Sequence, residues 1–371
     1  MKITLEREKF HAVFQTAAAV APTRSPKPIL QNVKLEVAAD SATLMATDLE
    51  VGIRMAVPGI NVETPGVAVL PIARFGPILR ECTDEKLSLE SDPQGTLVRG
   101  DRSEWKLPGE NPDEFPNVTS FAEEKFHELA ARLFREVIRR TAFATDNESS
   151  RYALGGVLLE LDGEKITAVG TDGRRLAKME GPAHQVGGHQ TAQQTTIVPT
   201  RAMNLLERAI IDSDGEVQIS ARANDILIRS PRFTIYSRLV EGRFPKWRDV
   251  FPRRSDVIKT ELAVGPLHAA VRQAAIATSD ESRGIDFNFD DGMLVLSARA
   301  VDVGQSRVEL PISYNGPKLS ITLDPRFVAD FLRVLDPEKT FTMELKDSDS
   351  AAVCTTDDGY GYVIMPLARD R

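Results

Sequence analysis

The sequence predicts an α+β fold built from three repeats of one unit, each with two helices and antiparallel sheets. Three observations carry this. Similar segments each open a helix-like pattern: Leu70-Pro71-Ile72-Ala73, Val198-Pro199-Thr200-Arg201 and Leu323-Asp324-Pro325-Arg326. Leu70, Val198 and Leu323 stand 128 and 125 residues apart, close to a third of the 371-residue chain. Alternating apolar runs fill the remainder, and Ala46-Thr47-Asp48 and Gly170-Thr171-Asp172 each close such a run. Repeats of this length are domains, not the short units of a solenoid.

The repeats set domain boundaries at 1–122, 123–253 and 254–371, with Glu114-Phe115-Pro116 and Arg243-Phe244-Pro245 each ending a unit. Apolar periodicity predicts helices over about 6–20, 71–82, 127–145, 200–211, 265–278 and 325–335. Three of them end in a basic residue: Arg80, Arg208 and Arg333. Gly76-Pro77 falls inside the second helix and should kink or shorten it. Strands are expected over 86–90, 217–221, 226–230, 233–239, 285–289, 293–298, 341–345 and 362–365. Asp162-Gly163 and Asp291-Gly292 read as hairpin turns. Runs of strands punctuated by two helices per repeat imply antiparallel sheets.

Composition is that of an ordinary soluble chain, 42 % hydrophobic and 27 % charged. No run approaches the roughly 18 apolar residues of a membrane span. The first residues alternate like a strand and lack a signal core, so a cytoplasmic protein starting at or near Met1 is expected. Cys82 and Cys354 lie far apart among apolar neighbours, which argues against a disulfide framework. A net charge of −8 argues against nucleic acid only if the signs are mixed. They are segregated: the six helical windows carry +6 together, leaving −14 for the rest. The window 127–145 is the most basic. Leu129, Leu133, Phe134, Val137 and Ile138 form its apolar face, with Arg132, Arg135 and Arg139 opposite and Arg140 beside them. Basic helices on an acidic body suit a surface that faces phosphates.

The sequence offers no phosphate-binding glycine loop, nucleophile elbow or cysteine–histidine pairing. His184 and His189 flank Gly187-Gly188 with no carboxylate close by, and read as a flexible polar loop rather than a metal site. Asp290-Asp291 and Asp357-Asp358 fall at turns, where aspartate serves the backbone. A non-catalytic protein with no metal or cofactor is expected.

Three motifs resemble one family. Thr171-Asp172-Gly173-Arg174-Arg175-Leu176-Ala177 is similar to the T-D-G-x-R-L-A segment of the bacterial sliding clamp, the β subunit of DNA polymerase III. Glu241-Gly242-Arg243-Phe244-Pro245 resembles its second-domain G-R-F-P segment, and Tyr362-Val363-Ile364-Met365-Pro366-Leu367 its C-terminal ending. Arg24 with Pro28-Ile29-Leu30, and Arg151-Tyr152 with Leu154 and Gly156, match as well. The likeness runs in order along the whole chain.

The resemblance implies three clamp domains per chain and two chains joined head to tail in a closed ring around duplex DNA. It implies contacts to DNA, without sequence preference, from Arg24, Arg151 and the basic helices, including Arg132, Arg135, Arg139 and Arg201. It implies a cleft between the second and third domains for a short partner peptide. The matching residues are Leu154, Thr171, Gly173, Arg174, Arg175, Leu176, Pro245, Val250, Val363, Ile364, Met365, Pro366 and Leu367. It places Trp105, Leu107 and Ile276 at the junction of the homodimer. Implied partners are the replicative polymerase's catalytic subunit, the clamp loader, and other polymerases and repair proteins with clamp-binding motifs. No membrane is implied. Asp249, Ser282, Asp324, Phe327 and the tail Ala368-Arg369-Asp370-Arg371 depart from the family pattern and bear on peptide preference. A scaffold that keeps the fold without encircling DNA is the alternative reading. An enzyme is disfavoured.

Overall fold

The computed structural model describes residues 1–146, 153–191, 195–211, 215–251 and 256–367. It divides into two units, Met1–Arg135 with Ala183–Leu239, and Glu136–Pro182 with Val240–Arg371. The sequence repeats and these units do not coincide, because sheets run across the repeat boundaries. Each unit contains one such junction.

In the first unit, one sheet has the strand order Ile60–Thr64, Lys2–Glu6, Lys86–Asp92, Gly95–Arg99, Glu104–Pro108. A second runs His184–Val186, Phe126–Ala130, Glu216–Ala221, Asp225–Arg229, Phe233–Arg238, Val51–Ala56, Ala42–Thr47, Asn32–Val37, Gly66–Pro71. The first and second repeats join where Phe233–Arg238 pairs antiparallel with Val51–Ala56. Helices α1 (Arg7–Ala18) and α2 (Ile72–Glu81) cover apolar faces. Phe75 of α2 meets Phe10 and Phe14 of α1 edge-on, with centroids 5.9 and 5.2 Å apart. Burying such rings stabilises by about 1.5–3 kcal/mol each. That packing accounts for α2 continuing through Pro77, while the helix is shorter than the expected 71–82 span. The proline forgoes one backbone bond, but Phe75, Ile78 and Leu79 stay buried on one face.

The predicted helix at 127–145 is corrected. Residues Phe126–Ala130 form a strand, and only Ala131–Thr141 is helical (α3), followed by a 3-10 turn at Ala142–Ala144. His127 and Leu129 are buried at a spacing of two, a strand's period, paired with Ile219 and Val217. Helix periodicity absorbed this short alternation. Helix α4 (Thr200–Ala209) starts where expected. The expected flexible loop around Gly187-Gly188 is also corrected. His184–Val186 pairs with Phe126–Ala130, and His189 is buried against His127 with their Nδ1 atoms 2.7 Å apart.

In the second unit, Gly156–Asp162, Lys165–Thr171, Arg175–Pro182, Tyr360–Ile364, Ala352–Thr355, Thr340–Leu345 and Ile258–Ala263 pair in that order. The second and third repeats join where Arg175–Pro182 meets Tyr360–Ile364. Another sheet orders Gly304–Pro311, Met293–Ala300, Ile285–Asp290, Leu319–Leu323. Asp162-Gly163 and Asp291-Gly292 form the two predicted hairpin turns, closed by Asp162–Lys165 and Asp290–Met293 pairs. A one-turn helix, α5 (Trp247–Val250), was not legible in the sequence; α6 (Val264–Ala274) and α7 (Pro325–Arg333) were. The core of this unit centres on Phe331, which stacks on Tyr362 at 5.0 Å and meets Phe341 edge-on. Both cysteines are buried and free. No helix among the described residues is long and apolar enough to cross a membrane.

Candidate functional site

The Thr-Asp segments build the same turn in both units. In the second unit the Thr171 hydroxyl donates to the Arg175 carbonyl at 2.6 Å and accepts from the Gly173 amide at 3.1 Å. The Asp172 carboxylate accepts from the amides of Arg174 and Arg175 at 2.9 and 3.0 Å. In the first unit Thr47 and Asp48 hold Leu49, Glu50 and Val51 in the same pattern. Gly173 has φ +84°, a left-handed conformation natural to glycine, and nothing crowds its missing Cβ. Leu49 holds φ +79° at a steric cost.

From this turn, Arg175 and Leu176 pair with Ile364 and Val363. The Met365 amide then donates to the Arg174 carbonyl at 2.9 Å, and the Leu367 amide to the Thr322 carbonyl at 2.9 Å. The chain end is thus pinned as an extended strip beside the turn. Along it, Leu154, Thr171, Leu176, Val363 and Ile364 are buried, whereas Met365 is 44 % and Val250 42 % exposed. Gly173 and Arg174 are exposed; Pro245, Pro366 and Leu367 are half-buried. Pro245 precedes α5, whose Trp247 indole donates to Glu160 at 3.3 Å. Phe251, just beyond, packs where a side chain at Gly361 would stand and lies 5.1 Å from the Lys178 ammonium. A glycine at 361 is what lets that ring rest on the strand. The sequence-predicted set therefore splits into a buried floor and an exposed rim.

Arg175 belongs to neither. Its guanidinium donates to Asp172 (3.0 Å), Asp330 (2.7 Å) and the Phe143 carbonyl (3.0 Å), and lies 4.5 Å from the Phe327 ring centre. Burial opposes its charge, but the oxygens of Tyr362, Asp330 and Asp172 outweigh burial and raise its pKa. It anchors the turn to α7. Asp330 and Phe143 gave no local signal, since each lies far from the motif in sequence.

The basic residues separate similarly. Arg24, Arg132 and Arg135 are exposed and make no ion pair among the described residues. Arg139 is exposed too, but donates to Glu136 and to the Val334 carbonyl at 3.0 and 2.9 Å. Arg140 is held by Glu136 and Asp358. Arg201 is paired with Asp48 and donates to the Val20 carbonyl, so its guanidinium braces the fold of the first unit. Arg151 lies outside the described residues. Of the residues expected at a dimer junction, Ile276 is 77 % exposed, Trp105 is half-buried, and Leu107 is buried within its own sheet. Val301 and Val303, which the sequence reading did not single out, are exposed by 98 % and 51 %. They stand in a hairpin turn, where a polar residue is the usual expectation.

A threefold α+β repeat with this turn stapled to the C-terminal strand defines a DNA clamp. Models of the DNA polymerase III beta subunit match in order: the N-terminal domain at residues 1–119, the central domain at 128–246 and the C-terminal domain at 248–368. The beta sliding clamp of Pseudomonas aeruginosa is 31 % identical over 99 % of this chain and 100 % of its own length, and that of Escherichia coli K12 is 29 % identical over the same shares. A crystal structure of a DnaN sliding clamp from Pseudomonas aeruginosa bound to griselimycin is similar with a TM-score of 0.91 and 30 % identity, covering both chains completely. The chain belongs to the bacterial beta sliding clamp family. Its function is that of a sliding clamp, a processivity factor of the polymerase rather than a catalytic subunit.

Proposed function

We propose that two copies of this chain, each of three domains at 1–122, 123–253 and 254–371, close head to tail around duplex DNA. The ring recruits partner proteins by their linear peptides. Glu104–Pro108 and Gly304–Pro311 are each the last strand of a sheet, and unpaired edges seek a partner strand. Exposed Ile276, Val301 and Val303 supply apolar surface beside the second edge, and Trp105 lies on the first. Head-to-tail closure with twofold symmetry satisfies both edges in both copies. Arg24, Arg132 and Arg135 supply mobile phosphate contacts, which position without reading sequence and so permit sliding. Partners are duplex DNA, a second copy, the replicative polymerase, the clamp loader, and other polymerases and repair proteins, all in the cytoplasm.

The observation that carries recruitment is the exposed Met365 above a floor of buried Leu176, Val363 and Ile364. Methionine adapts to varied apolar partners. Removing Met365–Arg371 strips the rim and should abolish binding of a polymerase-tail peptide in calorimetry while leaving a dimer. Met365→Ala and Pro366→Ala should each weaken binding by about 1–2 kcal/mol. Undiminished binding by the folded truncate rules out the cleft.

A further inference from the structure

We propose that the docking cleft extends into a cationic groove on the last sheet, which takes acidic residues flanking the apolar core of a partner peptide. This rests on the peptide-cleft reading. The groove has a volume of about 920 Å3 and is lined in part by Leu367 of the cleft. The Leu367 amide donates to the Thr322 carbonyl, and its side chain stands 3.3 Å from where a Cβ at Gly284 would be. Leu367 therefore borders both the cleft and the groove.

Its floor is one row across three strand pairs: Thr322 beside Asp286, Asp286 beside Ser297, Ser297 beside Arg307. The lining carries three guanidiniums, Arg283, Arg299 and Arg307, against the two carboxylates of Glu281 and Asp286. Asp286 accepts from the Thr322 hydroxyl at 2.5 Å, and Glu281 is exposed at the rim. Arg307 is held by Glu309 at 2.7 Å. Arg283 and Arg299 are exposed, line the groove and make no ion pair among the described residues. Arg283, whose Nε donates to the Asp280 carbonyl at 2.6 Å, and Arg299 keep their terminal nitrogens for carboxylates, which guanidiniums can bind in bidentate fashion. Ser282 keeps the groove open. Its hydroxyl donates to the Arg299 carbonyl at 2.8 Å and ties the 279–283 loop to the strand, where a larger side chain would fill the space. The departure at Ser282 thus acquires a role: its small side chain leaves access to Arg299.

The test uses the full chain and two synthetic peptides with the same leucine–phenylalanine core, one flanked by glutamates and one by glutamines. Affinities are measured by calorimetry in low and high salt, for wild type and Arg283→Gln/Arg299→Gln. The glutamate peptide should bind wild type about three- to tenfold more tightly in low salt, from two partly exposed charge pairs. The double substitution should remove that advantage and leave the glutamine peptide unchanged, and salt should erase it as well. An equal advantage in the double variant, or none in wild type, overturns the proposal while the cleft stands. Failure of both peptides to bind wild type refutes the cleft and the groove together.

Discussion

Replacing Arg175 by Met should cost this protein more stability than any exposed arginine could. The side chain is 10 % exposed and holds Asp330, 25 % exposed, and Asp172, 16 % exposed. Arg175→Met keeps apolar volume over Phe143 and Phe327 but leaves Asp172 without its cation, Asp330 with Arg333 alone at 2.8 Å, and the Phe143 carbonyl without this donor. Breaking a buried ion pair from one side costs about 3–5 kcal/mol, and water reaching Asp330 argues for the lower end, about 3 kcal/mol. Adding Asp330→Asn removes a carboxylate that has lost its more buried partner and keeps only Arg333, so the double variant should recover about 1 kcal/mol relative to additivity. Arg175→Lys should fall between, because an ammonium cannot span Asp172, Asp330 and the carbonyl together. Urea unfolding followed by tryptophan fluorescence measures these differences, and peptide calorimetry should show weakened docking, since the turn at 171–175 loses its anchor. A cost below about 1 kcal/mol for Arg175→Met, or strict additivity with Asp330→Asn, would refute the reasoning.

Two further outcomes follow from the same geometry. Trp105→Ala with Ile276→Asp should give folded monomers by light scattering, and an unchanged dimer rules out this junction. The His127–His189 pair should make stability fall with acid. Burial lowers the His189 pKa below its ordinary 6.5; His127 lowers it further, while the Ala221 backbone bond and Glu123 raise it. The unfolded chain then binds more protons below about pH 6.5, so this contribution is complete above that pH and is lost as pH drops toward the folded value. His189→Gln should flatten the slope below about pH 6.5 by up to about 1.4 kcal/mol per pH unit. An unaltered slope in the variant contradicts the buried neutral pair.

Much of the fold was legible because long apolar periods repeat three times. The starts of α1, α2, α4, α6 and α7 fall within two residues of the expected ones. Failures came where short and long periods meet. Phe126–Ala130 alternates for only five residues before α3 begins, and a helical period fits both stretches loosely. Pro77 was read from its missing donor alone, and the packing of Phe75 on Phe10 and Phe14 was not legible. At the site, motif residues were found in sequence, yet their division into floor and rim needed burial. Arg175 looks like a surface contact until Asp330 and Phe143 are seen around it, and Arg201 looks free until Asp48 is. These partners are brought together by sheet pairing, which no local spacing encodes.

Retention on closed circular DNA tests the encircling mechanism most directly. Direct binding to linear duplex should be weak and fall with salt, because few mobile arginines contact phosphate. Once placed on a circle by an ATP-driven loader, the protein should stay through a high-salt wash and leave when the circle is cut once. Arg132→Glu with Arg135→Glu should impair loading or sliding without unfolding, since Phe134, Val137 and Ile138 remain buried. Loss from intact circles as fast as from cut ones would contradict encirclement and favour a scaffold that keeps the clamp fold.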